Sequence, residues 1–366
     1  MSGALAAHIR GLIAGAGPIS VARYMALALG HPEHGYYQRG DPLGVAGDFI
    51  TAPEISQIFG EIIGLWCAVT WKQMGAPDPV RLVELGPGRG TLMADALRAI
   101  ARAAPALATA VELHLVENSP ALRKLQERTL GAAGGRWHAA FETVPDGPLL
   151  LVANEFFDAL PIVQYQRGED GWRERLVDID PAAEAGFRFV LSEDRTSLMT
   201  DDGPVGGIVE TCPQGLALAG ALGARLRRHG GAALIVDYGY GEGAAGDSLQ
   251  AVRRHAPHDV LHDPGEADIT AHVDFAALAD AARRGGARVF GPVTQRAFLT
   301  RLGLAERAAR LARTATPAQA REITAGTRRL IDRKEMGTLF KVLALAGPEQ
   351  PPPPAFEPHS PEPHMP

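Results

Sequence analysis

The chain has 366 residues, 46% hydrophobic and 21% charged, with a formal net charge of -6. That length allows a sizeable core and more than one structural unit, and the composition suits a globular protein. No long basic block stands out, so bulk charge does not point to a nucleic-acid partner, and the two cysteines, Cys67 and Cys212, have neither metal-ligand spacing nor a disulfide framework.

The first stretch, MSGALAAHIRGLIAGAG, is broken by His8, Arg10 and glycines, and no apolar run reaches the length of a membrane span. The expectation is a cytoplasmic protein that is not integral to a membrane. Residues 1–78 read as a helical region. EISQIFGEIIGLWCAVTWKQM (54–74) carries Ile55, Ile58, Phe59, Ile62, Ile63, Trp66 and Val69 at helical spacing, and Thr51 and Glu54 before it form a T-x-x-E capping-box pattern.

From about residue 80, strand-like and helix-like segments alternate. This predicts an α/β fold with a mostly parallel sheet over 79–346. RLVEL (81–85) reads as a strand, 91–103 as a helix, 111–117 as a strand and 119–130 as a helix with Ser119 as N-cap and Pro120 first in the helix. PLLLVAN (148–154) is apolar enough for a strand buried on both faces. A β-rich insertion is expected at about 160–213, with a hairpin closed around Gly168–Gly171. Helix 215–230, strand 232–239, helix 273–286, helical pieces around 296–333 and a closing strand 338–346 follow. Residues 347–366, rich in proline, read as an extended tail outside any core.

Residues 83–91, VELGPGRGT, join a strand to a helix through three glycines. A P-loop would need Gly-Lys-Ser/Thr, and no lysine is present. A dinucleotide fingerprint fits Gly86 and Gly88 but meets Thr91 where its third glycine belongs, and the nearest acid at a strand end, Glu117, lies well beyond the roughly twenty residues expected. S-adenosyl-L-methionine fits better. Gly86, Gly88 and Gly90 let the backbone approach its methionine part, and the helix N-terminus favours its carboxylate. Glu117, ending the second strand, offers two acceptor oxygens to ribose hydroxyls, and Glu84 stands within reach of the amine through water. A glycine turn that serves packing alone is the remaining reading.

Further stretches in order are GYY (35–37), GDFITAPEISQIFGEIIG (47–64), HLVENSPALRKLQ (114–126), NEFFDALP (154–161), VDYGY (236–240), DITAHVDFAAL (268–278), QRAFLTRLG (295–303) and MGTLFKVL (336–343). With the glycine turn, they resemble the MidA family of S-adenosylmethionine-dependent methyltransferases over roughly residues 20–346. The resemblance implies a class I methyltransferase, Rossmann-like core with additions, Gly86, Gly88, Gly90 and Glu117 at the cofactor, and ω-arginine methylation of a respiratory complex I core subunit that supports complex I assembly. The segment after VDYGY departs from the family, with Ser248 and Val252 where threonine and tyrosine are favoured.

Arginine is protonated at ordinary pH and one nitrogen must lose a proton as it is alkylated, so carboxylates that fork onto the guanidinium are the groups to seek. NEFFDALP follows a buried strand at the sheet edge where α/β folds bind ligands. Asn154 is assigned to cofactor or substrate, and Glu155 and Asp158, three apart and able to share a helical face, to the acceptor. Phe156 and Phe157 read as core and cleft wall. Asp48, Thr51, Glu54, Ser56 and Asp237 are candidates for a lid or substrate contacts; Thr51 and Glu54 have the capping box as a competing role, and Asp237 a strand-end one. No metal is expected. The alternatives are a small-molecule methyltransferase and a non-catalytic assembly factor that binds the cofactor.

Overall fold

The computed structural model describes residues 3–39, 51–182, 186–198, 203–241 and 246–356. At its centre lies a sheet built from β1 (Val80–Leu85), β2 (Val111–Val116), β3 (Arg136–His138), β4 (Leu149–Asn154), β5 (Gly231–Tyr240), β6 (Arg288–Thr294) and β7 (Phe340–Ala346). Their spatial order is β3-β2-β1-β4-β5-β7-β6. β3, β2, β1, β4 and β5 are mutually parallel, and β7 runs antiparallel between β5 and β6. The half 3-2-1-4-5 is the doubly wound order, and the reversed β7 departs from a six-stranded dinucleotide-binding sheet.

The pleat sorts the side chains of these strands into two cores. Val80, Leu82, Leu150, Val152, Leu234 and Val236 face one side, under helices Gln57–Gln73 and Thr91–Ala103. Val83, Leu85, Leu151, Ala153, Ala233 and Ile235 face the other, under helices Pro213–His229 and Phe275–Gly285. β4 is buried along its whole length, as its unbroken apolar run predicts. Helix Pro120–Leu130 begins as expected, with Ser119 Oγ accepting from the Leu122 N–H at 3.3 Å.

Helices Gln57–Gln73 and Thr91–Ala103 approach closely because glycines face the contact. A Cβ on Gly60 would lie 2.6 Å from Asp95 Cβ, and one on Gly64 would lie 2.4 Å from the Ala96 carbonyl oxygen. The N-terminal residues therefore divide between two places. Helix Gln57–Gln73 belongs to the central core, while helices Gly3–Ala16 and Val21–Gly30 pack in a third cluster with Ile162, Val177 and Phe187 of the insertion. Strand Ile19–Ser20 adds an edge to the insertion sheet.

That sheet contains the expected hairpin, Val163–Gly168 and Gly171–Ile179, with Phe187–Arg195 and Ile208–Thr211 antiparallel beside it. A small three-stranded sheet, Gln250–Arg253, Ala256–His258 and Asp268–Thr270, was not legible in the sequence. Its strands are too short for two-residue alternation to stand out.

Two expectations are corrected. The helix expected over 54–74 is broken at Ser56 into Ala52–Ile55 and Gln57–Gln73, because Ser56 is extended and its hydroxyl caps the second helix by accepting from the Ile58 N–H at 3.3 Å. The first part of the expected tail is packed. Phe356 is buried in the central core against Phe298, and Arg301 Nη1 donates to the Ala355 carbonyl at 3.0 Å. An aromatic at the end of a proline run supplies enough apolar surface to hold it there. No helix among the described residues is long and apolar enough to cross a membrane.

Substituting Gly64 by alanine forces a methyl group into the Ala96 backbone. The expected loss is about 1–3 kcal/mol of stability, read as a lower urea midpoint with an unchanged slope.

Candidate active site

Chains leaving β1 and β4 part company. The connection after β1 leads toward β2 on one side, and the one after β4 leads toward β5 on the other. A crevice opens between their carboxyl ends, as doubly wound sheets require. It holds a cavity of about 410 Å³, within the range of small-molecule sites.

The glycine turn forms one wall. Gly86, Gly88 and Gly90 have φ of 60°, 53° and 81°, in the left-handed region that disfavours other residues. A Cβ on Gly86 would sit 2.7 Å from Phe156 Cδ2. Gly86 and Gly88 line the cavity; Gly90 stands behind it as the N-cap of helix Thr91–Ala103, against Gln126. Phe156 is a cavity wall and Phe157 a core residue.

Glu84 lies on the same face of β1 as Val80 and Leu82 and is buried at the end of the strand. Burial pushes its carboxyl up to about 8, and Oε2 has no hydrogen-bond partner among the described residues. Glu117 is held differently. Oε1 accepts from the Ser119 N–H at 2.8 Å and Oε2 from Gln126 Nε2 at 3.2 Å. Burial raises it, and these donors oppose the rise. The same Gln126 amide donates to the Gly88 carbonyl at 2.8 Å, and its oxygen accepts from Trp137 Nε1 at 2.8 Å. Gln126 thus ties the glycine turn to the acid after β2. Sequence reasoning missed it, and its one signal was a glutamine on the inward stripe of a helix.

After β4 the chain makes a turn, not the helix expected to align Glu155 and Asp158. The physical reason lies in Asp237 of β5. Its Oδ2 accepts from the N–H groups of Phe156, Phe157 and Asp158 at 3.2, 3.0 and 3.2 Å, so these donors curl around one carboxylate. Asp237 is fully buried beneath the turn and does not line the cavity, which corrects the lid or substrate role expected for it.

Glu155 enters this turn at φ 50°. Its Oε1 accepts from the Ala52 N–H at 2.9 Å and from Asn154 Nδ2 at 3.0 Å. Glu155 therefore caps helix Ala52–Ile55 from across the cavity, the position the sequence assigned to Thr51. Its Oε2, the Asn154 Oδ1 and the Asp158 Oδ1 are buried without hydrogen-bond partners among the described residues. Burial is the main cause that pushes Glu155 up to about 8 and Asp158 to about 6.

The expected capping box is absent. Thr51 makes no side-chain cap, and Glu54 reaches forward to the Thr91 hydroxyl and, at 3.4 Å, to Arg89 Nη1. Thr51 and Glu54 line the cavity, whereas Ser56 is spent on its own helix. Asp48 lies outside the described residues. Two further lining residues escaped the sequence reading: Tyr37, whose hydroxyl donates to Asp268 Oδ1 at 2.8 Å, and Asp268 itself. They come from segments far apart in sequence, and only folding brings them together.

The cavity suits S-adenosyl-L-methionine on these observations. A turn free of side chains, a carboxylate with spare acceptor capacity after β2, and orphaned buried oxygens fit a ligand that carries hydroxyls, an amine and a sulfonium. Residues 62–293 match the model of an S-adenosyl-L-methionine-dependent methyltransferase family.

The chain belongs to that family.

The protein named "Protein arginine methyltransferase NDUFAF7, mitochondrial" from Danio rerio is 40% identical over 365 residues, covering 92% of this chain and 86% of that protein. The human protein of the same name is 38% identical over 364 residues, covering 92% and 82%. A crystal structure of a COG1565 superfamily member from Burkholderia thailandensis, bound to S-adenosyl-homocysteine, superposes with a TM-score of 0.84 at 32% identity, covering 97% of this chain and 95% of that one. The enzyme is a methyltransferase, and its cofactor is S-adenosyl-L-methionine.

Substituting Gly86 by alanine sets a methyl group against the Phe156 ring at a strained φ. S-adenosyl-homocysteine affinity should fall at least about tenfold by calorimetry, with the far-ultraviolet spectrum unchanged. The acids make a second prediction. Glu84 and Glu155 titrate above their unfolded-chain values, so the folded state binds their protons more tightly. Their stabilisation is complete below the ordinary glutamate range and is lost as pH rises through about 8. The melting temperature of the ligand-free protein should fall between about pH 5 and 8, and Glu84→Gln should flatten that slope.

Proposed function

We propose that this enzyme transfers a methyl group to a guanidinium nitrogen of an arginine in a protein, a respiratory complex I subunit, and thereby supports assembly of that complex. The observation that carries this reading is the acidic lining of the cavity, part of which burial holds neutral until a cation arrives. Glu54, Glu84, Glu117, Glu155, Asp158 and Asp268 line it, and Arg89 is its one cationic side chain among the described residues. Arg89 is itself paired with Glu54. Such a site repels anionic acceptors and favours a cation. The proposal also draws on the identity to proteins named protein arginine methyltransferase.

In this reading the backbone at Gly86 and Gly88 admits the methionine part of the cofactor. Glu117 takes the ribose hydroxyls, while Glu84 and Asn154 meet the remaining polar groups. S-adenosyl-L-methionine supplies an electrophilic methyl group when bound. Glu155 Oε2 and Asp158 Oδ1 take the acceptor. A guanidinium offers five N–H donors in a fixed fork, and two buried acceptor oxygens without other partners match part of it. The arriving cation lowers the pKa of both acids and draws them into their ionised form. One of them then receives the proton that the nitrogen gives up. Helix Ala52–Ile55, tied to Glu155 on one side and to the glycine turn on the other, covers the reacting atoms from water.

Glu155→Gln tests the role directly. The amide oxygen can still accept from Ala52, so the helix stays in place, but neither the charge nor the proton acceptor survives. Transfer should fall by about 10²-fold or more while S-adenosyl-homocysteine affinity holds. For the substrate, the purified enzyme and labelled S-adenosyl-L-methionine should be incubated with a membrane extract from cells lacking this gene. Label on an arginine of a complex I subunit, located by mass spectrometry, supports the whole reading. Label on a small molecule, or none despite cofactor binding, overturns it.

A further inference from the structure

We infer that Asp237 is the positioning residue of the acceptor site: it folds the turn after β4 so that Glu155 and Asp158 face the cavity together. The inference rests on the proposed roles of those two acids.

Three observations converge on it. First, Asp237 is 0% exposed, and its two oxygens collect four backbone donors: Phe156, Phe157 and Asp158 on Oδ2, and Tyr238 at 2.9 Å on Oδ1. Consecutive N–H groups converging on one oxygen do not arise in an extended strand, where successive N–H groups point to opposite sides. They form a concave nest around that oxygen; burial and the neighbouring Asp158 and Glu155 push the Asp237 carboxyl up, and its backbone donors oppose that rise. Second, the residue that opens this turn, Glu155, stands at φ 50°, which is costly for a residue with a side chain. Its own N–H remains in the sheet, bonded to the Val236 carbonyl at 2.9 Å, so the chain must leave the ladder abruptly at that residue. The donors gathered by Asp237 oppose the cost. Third, the sheet pleat puts Asp237 on the face away from Glu84 and Asn154. It therefore holds the turn from beneath and leaves the cavity side to Glu155 and Asp158.

The consequence extends further. Glu155 caps helix Ala52–Ile55, and Glu54 of that helix engages Thr91 and Arg89 at the glycine turn. Asp237 thus anchors one end of a chain of contacts that begins under the acceptor acids and ends at the cofactor turn. The groups that face this cluster are Glu155 and Asp158 on the turn, Tyr238 beside Asp237, Lys341 directly opposite on β7, and Asp268 and Tyr37 across the cavity.

Two full-chain variants, Asp237→Asn and Asp237→Ser, test this. Asparagine keeps one acceptor oxygen and the volume; serine keeps a smaller acceptor. Fold is read by circular dichroism, cofactor-site integrity by calorimetry with S-adenosyl-homocysteine, and protonation of the buried acids by infrared titration of the carboxyl band in the ligand-free protein. Transfer is measured on whatever acceptor the unaltered enzyme labels. The expected result is a folded variant with affinity within about threefold, kcat lowered about 100-fold at constant KM for the cofactor, and a buried-carboxyl titration moved to lower pH because one of three mutually repelling acids is gone. Loss of one carboxyl by itself changes that titration, so the discriminating readout is kcat lowered while cofactor affinity holds, which a merely structural role would not give. Unaltered kcat, kcat and affinity lost together, or failure of both variants to fold or to bind S-adenosyl-homocysteine overturns the inference. If the unaltered enzyme labels an acceptor other than arginine, the arginine reading fails, while kcat and affinity on that acceptor still decide the role of Asp237.

Discussion

The whole site depends on one constraint of parallel sheets: two neighbouring strands whose connections depart in opposite directions cannot have their shared end covered by either connection. β1 and β4 are that pair. Each delivers its last side chain and its following turn to the same opening, so the glycine turn and the NEFFDALP turn become facing walls although nearly seventy residues of chain separate them. The remaining elements add to this crevice or brace it. The helix pair Gln57–Gln73 and Thr91–Ala103, locked by the bare faces of Gly60 and Gly64, fixes where the glycine turn begins. Helix Ala52–Ile55 crosses the opening.

Acids enclosed in such a crevice face two opposed demands. Burial raises Glu84, Glu155 and Asp158 toward the neutral form, and a cationic ligand pulls them back. Glu117 and Asp237 each gather several donors, whereas Glu84, Glu155 and Asp158 each keep a buried oxygen without a partner among the described residues. Glu117 nonetheless lines the cavity, and burial and its acidic neighbours push the Asp237 carboxyl up as well. The additions around the core also border the cavity. The first helices, the insertion and the small sheet near Asp268 form a third cluster that borders the cavity and contributes Tyr37 and Asp268.

Much of this was legible in the sequence. The alternation of buried strands and amphipathic helices, the glycine turn, the acid after β2 and the hairpin in the insertion all rest on local patterns: burial on two faces, helical periodicity, a positive φ that glycine alone takes easily. These properties belong to short stretches and survive any tertiary arrangement. The family resemblance followed from the same stretches.

What only the tertiary structure decided concerns partners distant in sequence. Thr51 and Glu54 satisfy a capping pattern, yet the helix is capped by Glu155, because a carboxylate from the turn after β4 lies at its N-terminus. Glu155 and Asp158 have helical spacing, yet Asp237 curls their segment into a turn. Phe356 is a core residue for the same reason. A hydrogen-bonding side chain states what it can bind, not which donor will be nearby. That choice is made when the sheet order is set, and it places the acids of the cavity, their support and their cover.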